Sequence, residues 1–153
     1  MILLSCEWQN PAAIMGIATK RNVMVDSNVF IHLLRHDRDP FLELSSWVDP
    51  MDLVTCGMVR LEVERGLTGN RLRIRTAKFF DLLRFIPATN IIWSDATEIA
   101  WTLDRQGKVL PAQDILIAAH CLKFGGQILT SDRHFESVHG LKVYKPEEEL
   151  EGW

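Results

Sequence analysis

No stretch of this chain approaches the run of about 18 apolar residues that a bilayer-spanning helix needs, so a helical membrane protein is not expected. Cysteine is scarce. Cys6, Cys56 and Cys121 are odd in number, far apart and without a C-x-x-C pair, which favours reduced thiols in a cytoplasmic protein over a disulfide framework. Residues 1–6 superficially resemble a lipoprotein cleavage box, but no positive segment or adequate apolar region precedes Cys6, and export is not expected. P-loop, G-x-G-x-x-G and G-x-S-x-G motifs are all missing, so nucleotide-binding and serine-hydrolase readings lack support. Strong net charge is missing as well. A value of −3 gives no general attraction for nucleic acid, although binding depends on where positive charge clusters and on any cation held in an acidic site.

What is present fits one soluble globular domain. Hydrophobic residues make up 47% of 153 residues, enough to bury roughly two-thirds of the surface an unfolded chain of this size exposes. Residues 1–21 have weak periodicity and read as an N-terminal extension, with the domain proper spanning 22–153. Val23–Val25 is an apolar run that stops at Asp26, which fits a strand buried on both faces followed by a helix from Ser27 or Asn28. That helix ends at the charged patch 36–40, and an amphipathic segment carrying Phe41, Leu44, Trp47 and Val48 follows. Leu53–Cys56 reads as a strand and 58–67 as a helix closed by Gly66 and Gly69. Residues 70–85 read as an amphipathic helix stopped by Pro87, and Ile91–Trp93 as a strand entering a helix with capping-box spacing at Asp95 and Glu98. Residues 112–124 form an apolar helix that Gly125 and Gly126 stop, and strands are expected at 128–130 and 141–144. Strands alternating with helices imply an α/β fold with a mainly parallel central sheet and helices on both sides.

Four acids stand where structure alone does not call for one. Asp26 and Asp132 each follow a buried strand, Glu62 lies on a helix after a strand, and Asp114 begins an otherwise apolar helix. Each also has an ordinary role open to it: a helix cap for Asp26, a turn for Asp132, a solvated position for Glu62, a first-turn acid for Asp114. Glu64 and Asp37 are assigned to solvent. If the two strands lie side by side, Asp26 and Asp132 converge on one crevice that Glu62 and Asp114 can reach from above. Carboxylates that close cannot all stay ionised unaided, and a divalent cation resolves the conflict. Oxygen donors without Cys or His point to Mg²⁺ or Mn²⁺.

The order Val25-Asp26-Ser27-Asn28, Glu62-Val63-Glu64-Arg65-Gly66, Asp114-Ile115-Leu116-Ile117-Ala118-Ala119 and Leu129-Thr130-Ser131-Asp132-Arg133-His134-Phe135 resembles the PIN-domain family, in particular the VapC-type toxin ribonucleases. The resemblance runs from about Asn22 to Tyr144; the segment before Asn22 departs from it. It implies a single PIN-like domain with metal-binding or metal-positioning acids at Asp26, Glu62, Asp114 and Asp132, Asn28 and Thr130 in support. It further implies Mg²⁺- or Mn²⁺-dependent hydrolysis of RNA leaving 5′-phosphate and 3′-hydroxyl ends, a cognate antitoxin protein and a homodimer. Asp26 and Asp114 are the first choices as direct ligands, with Glu62 or Asp132 orienting water.

Other residues carry less. His32 and His36 share a helical face but lack a third soft ligand, and His120 reads as a packed residue. Arg71, Arg75 and Lys78, with Arg73 and Arg65 nearby, could contact an RNA backbone or an acidic antitoxin segment, though a solvated face is the commoner outcome. Trp47, Trp93 and Trp101 fall in apolar patterns and are expected in the core. Two alternatives stay open: a haloacid-dehalogenase-like phosphohydrolase, which would need an acid where Asn28 stands, and a non-catalytic protein-binding domain.

Overall fold

The computed structural model describes residues 20–153. Most of the expected 1–21 extension therefore lies outside the described residues. Five strands, β1 (Val23–Val25), β2 (Leu53–Cys56), β3 (Arg84–Ile86), β4 (Gln127–Leu129) and β5 (Lys142–Tyr144), form one sheet in the order β3-β2-β1-β4-β5. Every neighbouring pair is parallel, with Met24 opposite both Val54 and Ile128. All three residues of β1 and all four of β2 are buried, as strands covered on both faces must be.

The described residues include seven α-helices: α1 (Ser27–Arg35), α2 (Pro40–Trp47), α3 (Gly57–Arg65), α4 (Asn70–Leu82), α5 (Asn90–Arg105), α6 (Ala112–Lys123) and α7 (Pro146–Glu149). From β1 the chain steps outward to β2 and β3, then crosses back to β4 and outward to β5. Right-handed crossovers put α1–α4 on one face of the sheet and α5–α6 on the other. The packing largely agrees, since α1 touches α2 and α3, and α5 lies against α6; α3 touches both α4 and, across the two layers, α6. Phe30 of α1 anchors the first layer against Phe79 and Phe80 of α4, at ring-centroid distances of 5.9 and 5.1 Å. The second layer rests on α6, where every residue from Ile115 to Cys121 is buried. No helix among the described residues is long and apolar enough to cross a membrane.

Three local expectations are corrected. The helix expected over 70–85 ends at Leu82, and Arg84–Ile86 is instead the edge strand β3, with Cys56 paired to Ile86. Only Ile86 of that strand is buried, so it lacks the apolar run that marks a central strand. Ile91–Trp93 is the first turn of α5, not a strand; Thr89 caps it by accepting a hydrogen bond from the Ile92 N–H, and Asp95 lies inside the helix. That change moves two tryptophans. Helical spacing turns Ile92, Ala96 and Leu103 inward and leaves Trp93 and Trp101 54% and 57% exposed, outside the core, with the Arg105 guanidinium 5.0 Å from the Trp101 ring centre. Helix α7 was not anticipated; its Glu149 accepts hydrogen bonds from Lys20 Nζ (2.7 Å) and Trp47 Nε1 (2.5 Å).

Gly126 carries the turn from α6 into β4. Its φ of +66° is a left-handed conformation, and a Cβ there would lie 2.9 Å from the Gly140 carbonyl oxygen. Gly126→Ala should therefore lower stability by about 2 kcal/mol or more, from strain and a backbone clash together. Gly57→Ala is the control, because its Cβ would meet nothing closer than a Phe85 ring carbon at 3.8 Å. Urea denaturation of both variants checks this, with the Gly57 variant expected within about 0.5 kcal/mol of the parent.

Candidate metal centre

In an open parallel sheet, ligands bind beyond the carboxyl ends of strands where the connections diverge. Here that point lies between β1, whose chain departs toward β2, and β4, whose chain departs toward β5. Asp26 follows β1 directly and Thr130 follows β4, joined by the Asp26 N–H donating to the Leu129 carbonyl at 3.0 Å.

One hydroxyl organises the crevice. Thr130 Oγ1 donates to Asp26 Oδ2 at 2.7 Å and accepts from Asn28 Nδ2 at 3.1 Å and from the Asp132 N–H at 2.9 Å. Asp26 Oδ1 meanwhile accepts from the Ser27 N–H at 2.7 Å, capping α1. The cap and the site role are thus both filled by Asp26, one carboxylate oxygen serving each. Asn28, expected as a supporting group, binds Thr130, so an amide that ties α1 to the end of β4 stands where a phosphohydrolase would need a second acid.

Asp132 caps a short 3-10 turn, Arg133–Ser137, by accepting from the His134 N–H at 2.8 Å. The turn brings His134 back over the site. Its Nδ1 lies 3.2 Å from Asp114 Oδ2 and 3.3 Å from Asp132 Oδ1. Asp114 itself sits in the first turn of α6, half-buried, where the helix dipole favours a carboxylate. Among the described residues, Asp114, Asp132 and His134 form the one group of such side chains whose ligand atoms all lie within 4.8 Å of one another.

Electrostatics ties in the remaining acids. Burial pushes the Asp26 carboxyl up to about 6; hydrogen bonds from Thr130 and Ser27 hold it down, and the nearby Asp114 and Glu62 carboxylates raise it further. The Asp114 carboxyl is also raised, first by burial and then by Asp132 and Glu62, against the lowering effect of His134. Glu62 therefore acts on both, from α3, which packs against α6. Hydrogen bonds through Thr130 join Asp26, Asn28 and Asp132, Asp132 lies with Asp114 and His134, and Glu62 is connected to the group only through its effect on the Asp26 and Asp114 carboxyls.

A comparison with family models matches residues 23–141 to the PIN domain. The chain belongs to the PIN-domain family. Solved structures agree on the fold. A DNA-bound VapBC from Salmonella typhimurium aligns with a TM-score of 0.70 at 18% identity, covering 82% of this chain and 98% of that one. FitAcB from Neisseria gonorrhoeae gives 0.68 at 19%, with 82% and 98% covered. VapBC-1 from nontypeable Haemophilus influenzae gives 0.66 at 22%, with 80% and 96% covered. No curated protein sequence matches. PIN domains are metal-dependent nucleases, and the donor set here suits a divalent cation: carboxylates near enough to push the Asp26 and Asp114 carboxyls further up, with Asp114 and Asp132 flanking an imidazole nitrogen.

His134 was missed from the sequence as a site residue. It stood in the motif Thr130–Phe135, but its involvement depends on the 3-10 turn that Asp132 caps, which spacing alone did not reveal. The basic row is redistributed. Arg75 is ion-paired with Asp39 and, with Lys78 and Phe41, lines one hollow, while Arg65, Arg60 and Arg73 line another of about 590 Å³. Arg71 is exposed. Glu64 is not left to solvent, for Arg60 holds it at 2.6 Å and Asp81 at 2.9 Å. His32 and His36 are stacked on each other at 4.3 Å, with Trp153 on His32 at 3.9 Å.

The Asp26 shift has a stability consequence. A folded-state pKa raised from 3.8 to about 6 means that the folded protein binds this proton before the unfolded chain does. The burial cost is then fully felt above pH 6 and is relieved as pH falls through 6 toward 4. In chelator-treated protein, Asp26→Asn should be more stable than the parent at pH 7.5 by on the order of 3 kcal/mol, the difference vanishing near pH 4. Denaturation of both proteins across that range gives the answer; a constant difference would contradict the electrostatic account.

Proposed function

We propose that this PIN-domain protein is a Mg²⁺- or Mn²⁺-dependent endoribonuclease, the toxin of a two-protein toxin–antitoxin pair, working in the cytoplasm and restrained by an antitoxin. The observation that supports the reading is the cluster of Asp114, Asp132 and His134 ligand atoms within 4.8 Å of one another, with buried Asp26 tied to Asp132 through the Thr130 hydroxyl beside the ends of β1 and β4. The likeness in fold to VapBC and FitAcB supports the antitoxin partner. RNA as substrate rests on the motif resemblance. Exposed helix faces and the same resemblance support a homodimer.

Asp26 and Asp114 would hold the cation together with Asp132, the Asp26 carboxylate being positioned by Thr130. When bound, the ion supplies Lewis acidity, lowering the pKa of water and taking up charge on the phosphate oxygens. Asp26 is locked by hydrogen bonds to both its oxygens, so its position is fixed before substrate arrives. That preorganisation lowers the reorganisation needed at the moment of reaction. Glu62, outside the three-atom cluster, would orient the attacking water through its carboxylate. In-line attack on phosphorus then breaks the P–O3′ bond and leaves a 5′-phosphate and a 3′-hydroxyl. Exposed Arg65, Arg71 and Lys78 provide charge for an RNA backbone or an acidic antitoxin segment, and Arg75 does so only by leaving Asp39.

Asp26→Asn and Asp114→Asn should each reduce cleavage of single-stranded RNA by about a hundredfold or more, with circular dichroism unchanged. Chelator should abolish parental cleavage and added Mg²⁺ or Mn²⁺ restore it. Equal cleavage by parent and both variants, or cleavage indifferent to chelator, would overturn the proposal.

A further inference from the structure

The acids alone describe an all-oxygen site, yet the structure adds a nitrogen. We infer that His134 is a direct ligand of the cation, making the centre a mixed Asp114–Asp132–His134 site that prefers Mn²⁺ to Mg²⁺. The inference rests on the metal-nuclease reading and refines it.

Geometry is the first ground. Adjacent donors on an octahedral ion with bonds of about 2.1 Å are about 3.0 Å apart. The Nδ1 separations of 3.2 and 3.3 Å from the two carboxylate oxygens match such edges. A single Nδ1–H donates well to one acceptor. Here Nδ1 is hydrogen-bonded to Asp114 Oδ2 with Asp132 Oδ1 almost as near, so that a cation in place of the Nδ1 proton would be shared by both carboxylates.

Local structure is the second ground. Asp132 Oδ1 both caps the 3-10 turn at the His134 N–H and lies beside the His134 ring. The Asp132 N–H is in turn held by Thr130 Oγ1, which also holds Asp26. The imidazole is thus placed by the framework that places the carboxylates. Phe135, next in sequence, is completely buried and fixes the turn from below. The ring itself is half exposed, so a bound ion can keep water and meet a phosphate.

Ligand chemistry supplies the preference. Mg²⁺ takes oxygen donors and gives up its waters reluctantly, whereas an imidazole nitrogen strengthens binding along the first-row transition series, beginning with Mn²⁺.

The test is pulsed electron paramagnetic resonance of Mn²⁺ bound to the full chain, with calorimetric titration alongside. Bound Mn²⁺ should show ¹⁴N modulation from a directly coordinated imidazole, lost in His134→Gln. Titration should show His134→Gln weakening Mn²⁺ by about tenfold while changing Mg²⁺ much less, and His134→Asp moving the preference toward Mg²⁺. Mn²⁺ that binds without nitrogen coupling, or whose coupling survives in His134→Gln, overturns the His134 assignment and leaves the acidic site standing. Failure of the parent to bind Mn²⁺ and Mg²⁺ at millimolar concentration overturns this inference together with the metal-nuclease reading.

Discussion

Asp26 lies between β1 and β4 with almost no access to water, and Asp114 and Glu62 are close enough to make its ionisation harder still. A carboxylate in that position is a standing cost to the fold. Each oxygen of Asp26 is therefore given a donor, one from the backbone of α1 and one from Thr130. These two bonds lower the cost without removing it. The surrounding architecture sets these terms: the strand order creates the crevice, the buried β1 delivers Asp26 to it, and α6 brings the further negative charge of Asp114. A hard cation relieves all of these repulsions at once, which is the physical reason to read the crevice as a metal centre.

Rigidity in the site is inherited from the sheet. Thr130 is completely buried, its N–H pairs with the Tyr144 carbonyl at 3.1 Å, and its hydroxyl links Asp26, Asn28 and Asp132. Asp26 and Asp132 are thereby spaced by strand pairing, while Asp114 is carried by α6. Residues on flexible loops would need substrate binding to order them; here the ordering is done when the chain folds. The fold thus separates a preformed charged crevice from a more exposed set of helices that carries Arg65, Arg71, Trp93 and Trp101.

Much of this was legible in the sequence for definite reasons. Val23–Asp26 and Ile128–Asp132 announce themselves because strands buried on both faces are apolar throughout and then stop at a polar residue. Asp26 and Asp132 stood out because each follows a buried strand and Asp114 because the rest of its helix is apolar, whereas Glu62, among Arg60, Glu64 and Arg65, was marked by its place on a helix after a strand. What escaped notice lacked such contrast. β3 has only Ile86 buried and reads as the tail of α4, while Ile91–Trp93 has a strand's composition but sits after Thr89, a helix cap whose effect outweighs three apolar residues. Trp93 and Trp101 were misplaced for the same reason. His134 depended on a turn that only the three-dimensional path of the chain makes visible. Arg75 and Glu64 looked free because their partners, Asp39 for the one and Arg60 for the other, are chosen by packing that no local pattern encodes.

The most direct test of the central claim is a crystal of the protein grown or soaked with Mn²⁺ and measured near the manganese absorption edge. The account predicts an anomalous peak in the crevice between β1 and β4, bonded to the carboxylates of Asp26, Asp114 and Asp132. A well-ordered crevice without such a peak at saturating Mn²⁺, or a peak bound elsewhere on the molecule, would contradict it.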